Sequence, residues 1–316
     1  MSIDKDSINW LNNLLGSGIK FGEPMARHTY FRVGGPADAF ICPDNVEKLQ
    51  ELLRWAGDKR IPHIVIGDGS NLLVRDKGIH GIVIVLTECL NEISRSGGNG
   101  ESVLIKAMAG VRTQTLCRYA IEEGLSGINF ALGIPGTVGG AIMMNAGTSS
   151  ASISDVLDSV NIMLSTGTTL RIKREELDFS YRKLSWDKNF TKSHREEPII
   201  IDGCFRLLQS DPVELKKEAG AVLKKRKDNQ PTGTASAGCF FKNPPSGKTA
   251  GQLIDMAGLK GTRIGGAEVS AKHANFIVNM GTASASDILG LMQLIQETVF
   301  KKFNINLEPE VKIVGI

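Results

Sequence analysis

From about residue 36, short β-branched runs alternate with stretches whose apolar residues return every three or four positions. Behind Asp44 and Asn45, the residues Val46, Leu49, Leu52, Leu53 and Ala56 keep this spacing, which predicts a capped amphipathic helix. A βαβ-like unit is expected next, reading Ile61–Ile66, a glycine turn Gly67–Asn71, Leu72–Val74 and, after a second turn, Ile82–Val85. A second unit opens with a strand over Val103–Ala107. It continues into a helix from about Thr113 to Glu123 and enters the glycine-rich stretch Gly133–Gly140. Strands are expected at Val160–Leu164, Thr168–Ile172 and Pro198–Leu208, followed by a basic helix over Pro212–Lys227.

The character changes after Gln230-Pro231-Thr232-Gly233, a turn-forming run. Beyond it the pattern predicts a helix near Thr249–Met256, a strand at Ala274–Val278, an amphipathic helix over Ser286–Phe303 and a last strand at Val311–Val314. The expected organisation is therefore a domain over residues 1–228, itself made of two α+β lobes, and a smaller α+β domain over residues 229–316.

Composition narrows the class. Apolar residues make up 41% and charged residues 22%, ordinary values for a folded soluble chain. The 37 basic and 34 acidic residues leave a charge of only +3, too even for a nucleic-acid or membrane-surface protein, so a small partner is expected. Lys216, Lys217, Lys224, Lys225, Arg226 and Lys227 cluster on the basic helix, either as a solvated face or as a dock for a ligand phosphate. The five cysteines are odd in number and form no C-x-x-C pair, which argues against a disulfide framework or zinc site and for a reducing compartment. No metal is expected. Acidic residues stand where a signal peptide needs basic ones, and the longest branched-apolar run, Ile82–Leu86, has five residues against the ~20 of a membrane helix. A cytoplasmic protein with no membrane contact is the expectation, and a monomer.

The 35 glycines show no collagen-like period and suggest tight turns or backbone brought close to a ligand. Gly133-x-x-Gly136-x-x-Gly139 lacks the Gly-x-Gly opening of the dinucleotide fingerprint, and no Gly-Lys-Ser/Thr makes a P-loop. Each glycine loop alone reads as a turn. Together they suggest a long phosphate-bearing ligand held by backbone N–H groups.

Here the motifs become specific. Ile66-Gly-Asp-Gly-Ser-Asn-Leu-Leu73 resembles the flavin pyrophosphate loop of the vanillyl-alcohol-oxidase/PCMH-type FAD domain. Thr29-Tyr-Phe-Arg-Val-Gly-Gly-Pro36 resembles the segment that the UDP-N-acetylenolpyruvoylglucosamine reductase (MurB) family places before it, and Phe130–Gly147 resembles that family's second FAD loop. Phe179-Ser-Tyr-Arg182, Ser236–Pro244 and Leu307-Glu-Pro-Glu-Val311 resemble, in order, its three catalytic segments. The likeness runs from about residue 20 to the C-terminus.

That resemblance implies FAD as cofactor, NADPH as hydride donor and a UDP-linked enolpyruvyl amino sugar as substrate. It implies FAD contacts at Thr29, at Gly67, Asp68, Gly69, Ser70 and Asn71, at Gly133, Ile134, Pro135, Gly136, Thr137, Gly139 and Gly140, and at Asn145, Ala146 and Gly147. It implies catalytic roles for Arg182, Cys239 and Glu310, and substrate contacts at Arg226 and Asn243. Outside the motifs, an arginine or glutamate reads as a surface ion-pair residue and a cysteine as a small apolar one. Within them the chemistry coheres. Hydride addition to an enol ether beside a carboxylate drives charge onto that carboxylate, which a guanidinium and an acid stabilise, and a proton must then reach the other carbon.

The chain departs from the family at two places. Cys239 stands where the family usually has serine, and Thr148-Ser-Ser-Ala-Ser152 replaces the common Ala-Tyr-Gly. Lys242 should lower the Cys239 pKa and burial should raise it, with burial expected to prevail. The chain also lacks the tyrosine-bearing insertion of longer members. Alternative readings are an FAD oxidase, which would lack the Cys239 and Glu310 motifs, a catalytically silent sensor, and a nucleic-acid binder, which would need aromatics among the lysines.

Overall fold

A computed structural model of the chain describes residues 3–186 and 198–316. It begins with a helix the pattern reading missed, α1 (Lys5–Leu15), capped by Asp4, which accepts the Ser7 N–H at 2.8 Å. The expected amphipathic helix is α2 (Val46–Lys59). Asn45 caps it by accepting the Lys48 N–H at 2.8 Å, and it ends at Arg60, whose φ of +55° stops the helix. The two helices meet through Trp10 and Trp55, stacked with ring centroids 4.5 Å apart.

Five strands follow: β1 (Ile19–Pro24), β2 (Pro36–Ile41), β3 (His63–Ile66), β4 (Leu72–Val74) and β5 (Ile79–Val85). Four of them form a sheet in the order β1-β2-β5-β3, with β2 and β3 both parallel to β5. The βαβ crossover is therefore β2–α2–β3, not the expected unit over Ile61–Val85. Between β3 and β4 lies only the Gly67–Asn71 loop, and β4 leaves the sheet to pair in parallel with Lys312–Val314.

The second lobe holds β6 (Ile93–Asn99), β7 (Ser102–Met108), β8 (Leu125–Ser126), β9 (Leu157–Met163), β10 (Thr169–Lys173), the hairpin β11 (Asp178–Ser180) with β12 (Lys183–Ser185), and β13 (Ile199–Gln209). Its antiparallel sheet runs β10-β9-β13-β7-β6, with β8 beside the end of β13. Alternation along β7 buries Val103, Ile105 and Ala107. The same core takes Leu116 and Ala120 from α3 (Thr113–Glu122), Ile142 from α4 (Val138–Met143), Ile153 from α5 (Ile153–Val156), and Leu215 and Ala219 from α6 (Pro212–Asn229).

The last part contains α7 (Ala250–Met256), β14 (Arg263–Ile264), β15 (Ala267–Val269), β16 (Ile277–Asn279), α8 (Ala285–Phe303) and β17 (Lys312–Val314). Ile288, Leu291, Ile295 and Val299 form a stripe along α8 that packs on Phe240, Phe241 and Leu253. Each such side chain contributes about 1.5–3 kcal/mol on burial. This core also receives Phe31, Val33 and Leu73 from the first lobe. A second tie is polar: the Asp76 carboxylate accepts the N–H groups of Ala285 and Ser286 at 2.8 and 2.9 Å, capping α8 from outside its own lobe. Among the described residues no helix is long and apolar enough to cross a membrane, and no cluster of His, Cys, Asp or Glu could hold a metal ion.

Candidate active site

The two glycine loops lie against each other. Ser70 Oγ donates to the Pro135 carbonyl at 3.0 Å, and a Cβ on Gly67 would stand 2.3 Å from Thr137 Oγ1. Gly136 adopts φ +129°, and Gly69, at φ +66°, would set a Cβ 1.9 Å from the His28 carbonyl oxygen, so glycine is required at these two points. Tyr30 N–H donates to the Gly69 carbonyl at 3.1 Å and Gln114 brackets the second loop, accepting from Gly133 N–H and donating to the Ile134 carbonyl. The amides of Gly67, Asp68, Gly69, Ser70, Asn71, Gly136 and Thr137 donate to no backbone carbonyl among the described residues. A row of available N–H groups on a surface cleared of Cβ atoms fits the diphosphate of FAD.

Other expected contacts are committed within the protein. Thr29 Oγ1 donates to the Val33 carbonyl at 2.8 Å, Gly139 N–H to Ala109, and Gly140 N–H to Thr137 Oγ1, which caps α4. Ala146 lies inside the same tight chain path, bonded to Ala141 and Ile153, and Gly147 packs against Ala151 and Ser152. Asn145, itself at φ +40°, donates through Nδ2 to the Ser180 carbonyl at 3.1 Å and accepts the Ser154 N–H at 3.1 Å. Its amide therefore braces the β11–β12 hairpin.

That hairpin presents Arg182. Tyr181 and Arg182 form its two-residue turn, and Arg182 adopts φ +59°, a left-handed conformation that costs a side-chain-bearing residue about 1–2 kcal/mol. Arg182 Nε lies 2.9 Å from Glu310 Oε1 as an ion pair, and among the described residues its N–H finds no well-aligned acceptor. Beside Arg182 a polar cavity of about 300 Å³ is lined by Asn145, Tyr181 and the divergent segment Thr148–Ser152.

Glu310 and Cys239 share one ribbon. The Glu310 N–H donates to the Phe240 carbonyl at 2.8 Å and Lys242 N–H to the Glu308 carbonyl at 2.9 Å. On the other side, Phe240 N–H donates to the Asn275 carbonyl at 2.7 Å, and the Asn275 side chain both accepts from Phe241 N–H and donates to the Phe241 carbonyl. Burial pushes the Glu310 carboxyl above the usual range, while Arg182 and Lys242 pull it back. Burial, and then the Glu310 charge, push the Cys239 thiol up to about 11, against the pull of Arg182, the Asn275 amide and Arg226.

Lys242 is not the thiol's acidifying neighbour. Its ammonium pairs with Glu308, and the cations that act on Cys239 are Arg182 and Arg226. The basic helix divides accordingly. Lys216, Lys217, Lys224, Lys225 and Lys227 are exposed, whereas Arg226 is half-buried with its stem across Gly133, whose Cβ would lie 2.5 Å from Arg226 Cδ. Burial lowers the Arg226 pKa. Asn243 is exposed, and its oxygen accepts the Ala250 N–H at 3.0 Å at the start of α7. The structure thus joins Arg182, Cys239, Glu310 and Arg226, and sets Asn243 at a helix end. The reading of motifs missed Asn275; its only local sign is an amide inside the apolar run Ala274–Val278.

Comparisons with known proteins identify the family. Residues 230–314 match the family described as UDP-N-acetylenolpyruvoylglucosamine reductase, C-terminal domain, and residues 37–173 match an FAD binding domain. A UDP-N-acetylenolpyruvoylglucosamine reductase of Desulfosudis oleivorans is 44% identical, covering 99% of this chain and 100% of its own length. One from Listeria monocytogenes is 39% identical over 94% of this chain and 95% of its own. The crystal structure of UDP-N-acetylenolpyruvylglucosamine reductase (MurB) from Thermus caldophilus superposes with a TM-score of 0.78 at 35% identity, covering 93% of this chain and 98% of that one. The expected two-lobed α+β FAD-binding fold with a smaller α+β domain after it holds. By motif, fold and relatives, the chain belongs to the UDP-N-acetylenolpyruvoylglucosamine reductase family.

Proposed function

We propose that this chain is an FAD-containing oxidoreductase that reduces UDP-N-acetyl-3-O-(1-carboxyvinyl)-glucosamine to UDP-N-acetylmuramate with NADPH, a step of peptidoglycan precursor synthesis. The observation that carries the reading is the pairing of Arg182 with Glu310, whose segment is bonded on one side to the diphosphate-binding loop and on the other to the Cys239 ribbon. Bound FAD, reduced by NADPH, supplies the hydride for the terminal vinyl carbon.

The remaining work falls to side chains. Arg182 holds the substrate carboxylate and offsets the charge that builds on it. Glu310, whose pKa burial raises, is neutral for a larger share of the time than an exposed glutamate and in that form donates a hydrogen bond to the same oxygens. Cys239, kept as a thiol by its raised pKa, delivers the proton to the second carbon. Arg226 takes a substrate phosphate, and Asn243 contacts the substrate through Nδ2, its Oδ1 being held by Ala250. Gly67–Asn71 and Gly133–Thr137 cradle the cofactor.

On this reading residues 1–228 are the FAD-binding domain and 229–316 the substrate-binding domain, a division supported by the end of α6 at Asn229. The protein works as a cytoplasmic monomer without nucleic-acid partners, in cell-wall synthesis and so in cell shape and division. Its unpaired cysteines suit a reducing compartment. The test is direct: purified protein should show a flavin spectrum and oxidise NADPH when the enolpyruvyl sugar nucleotide is added. Failure to reconstitute with FAD, or oxygen uptake from NADPH that ignores that substrate, would overturn it.

A further inference from the structure

Asn275 is only 3% exposed, on the segment just before β16. Burying an amide costs free energy unless both of its ends are satisfied. Here both are satisfied by one peptide group: Oδ1 accepts the Phe241 N–H at 2.9 Å and Nδ2 donates to the Phe241 carbonyl at 2.8 Å. The backbone of Asn275 adds a third bond, accepting the Phe240 N–H at 2.7 Å. Residues 239–241 belong to no regular strand, and their flanks are joined only by the single bridges Cys239–Phe276 and Phe241–Pro309. Where a continuous ladder is missing, the side chain takes its place.

We infer that Asn275 is a positioning residue for proton delivery: by gripping the Phe241 peptide it sets the direction of Cys239 Sγ. This rests on the reading of Cys239 as proton donor. An apolar residue of similar size would fill the volume but could hold neither group of the Phe241 peptide. Glu310 hangs on the opposite side of the same ribbon, bonded to the Phe240 carbonyl, so a purely mechanical role for Asn275 would disturb Glu310 as well. That difference makes the two roles separable.

The experiment uses FAD-loaded protein and stopped-flow measurement of each half-reaction. Asn275→Asp keeps the side-chain volume and the acceptor for Phe241 N–H but, when ionised, loses the donor. It should reduce flavin by NADPH normally and slow the enolpyruvyl-substrate half-reaction by about 10-fold or more, the scale of one lost buried hydrogen bond. In a Cys239→Ala background the same change should cost no more than about twofold, because residues acting through one group are not additive. Equal slowing in both backgrounds, or no slowing in either, overturns the inference, as does loss of FAD in both Asn275→Asp and Asn275→Ser. Should Cys239→Ala by itself run at the wild-type rate, the donor reading of Cys239 fails, and that result is distinct from all of these.

Discussion

Asn71 Nδ2 donates to the backbone carbonyl of Glu310 across 3.2 Å, and the Asn71 carbonyl in turn accepts the Lys312 N–H at 3.0 Å. These bonds join the end of the first glycine loop to a segment more than two hundred residues later, where β4 and β17 begin their parallel pairing. Loop, carboxylate and thiol ribbon are therefore one connected backbone unit. Asn71→Ala should weaken FAD binding and also slow the substrate half-reaction by about 10-fold at saturating FAD, since even a partly buried carbonyl left without its donor costs on the order of 1 kcal/mol. FAD titration followed by single-turnover kinetics on the saturated enzyme checks this. Loss of affinity alone would mean that the bond matters only to the cofactor loop.

Arg182 combines the side chain proposed to hold the substrate carboxylate with an unfavourable backbone. Arg182→Ala and Arg182→Gly should both lower the substrate half-reaction by about 10²-fold or more while NADPH reduction proceeds, the scale of a lost charge-stabilising contact. They should differ in stability. At φ +59° the alanine variant keeps the strain and the glycine variant relieves it, so Arg182→Gly should melt higher, by about 1 kcal/mol of stability less the greater chain entropy of glycine when unfolded. Equal melting curves would show that the hairpin does not hold this conformation in solution.

How far these features were legible in the chain depends on the range of the interaction that makes them. The Val46–Lys59 helix and the α8 stripe announce themselves through local periodicity and caps, and the structure agrees to within a residue or two. The α1 helix escaped because its apolar residues are interleaved with asparagines and charges. The exchange of β4 from its neighbours to β17 left no local trace, since each strand is three residues long and nothing in either names its partner. At the site, the glycine loops and the segments that carry Arg182, Cys239 and Glu310 stood out as motifs. Which partners the side chains would choose did not: Lys242 turns to Glu308, Asn145 to a hairpin, and Asn275 to a peptide in the middle of the site.

Glu310 should leave a signature in the pH dependence of stability. Its folded pKa is raised above 4.5, so the folded chain binds its proton more tightly than the unfolded chain does. The stabilisation this provides is fully present below about pH 4.5 and is lost as pH rises through the raised folded value. Glu310→Gln cannot titrate. Relative to wild type it should gain stability as pH climbs from 4 towards neutrality, measured by denaturant unfolding of the FAD-loaded proteins at each pH. A difference that stays flat over that range would show that Arg182 compensates the buried carboxylate fully.

Cys239 is where this chain leaves its family's usual serine, and the structure sharpens what to expect of it. With its pKa raised to about 11, chiefly by burial, the thiol is protonated throughout the neutral range, as a proton donor must be. Turnover should therefore show no alkaline limb near the ordinary thiol value of ~8.5 and should decline only as pH approaches the raised one. Cys239→Ser should keep substantial activity, because a serine hydroxyl of similar size fills this position in the family, and should lose that decline. Cys239→Ala should accept hydride equivalents from NADPH at the wild-type rate and then stall, since Phe240 and Phe241 beside it carry no acidic side-chain proton, the Lys242 ammonium is paired with Glu308, and Glu310 is assigned to the substrate carboxylate. The measurements are pH profiles of turnover and single-turnover rates for the three proteins. A limb centred near 8.5 in the wild type would place Cys239 in a wetter or more cationic setting than this structure gives it, and normal turnover by the alanine variant would make the residue a packing group only.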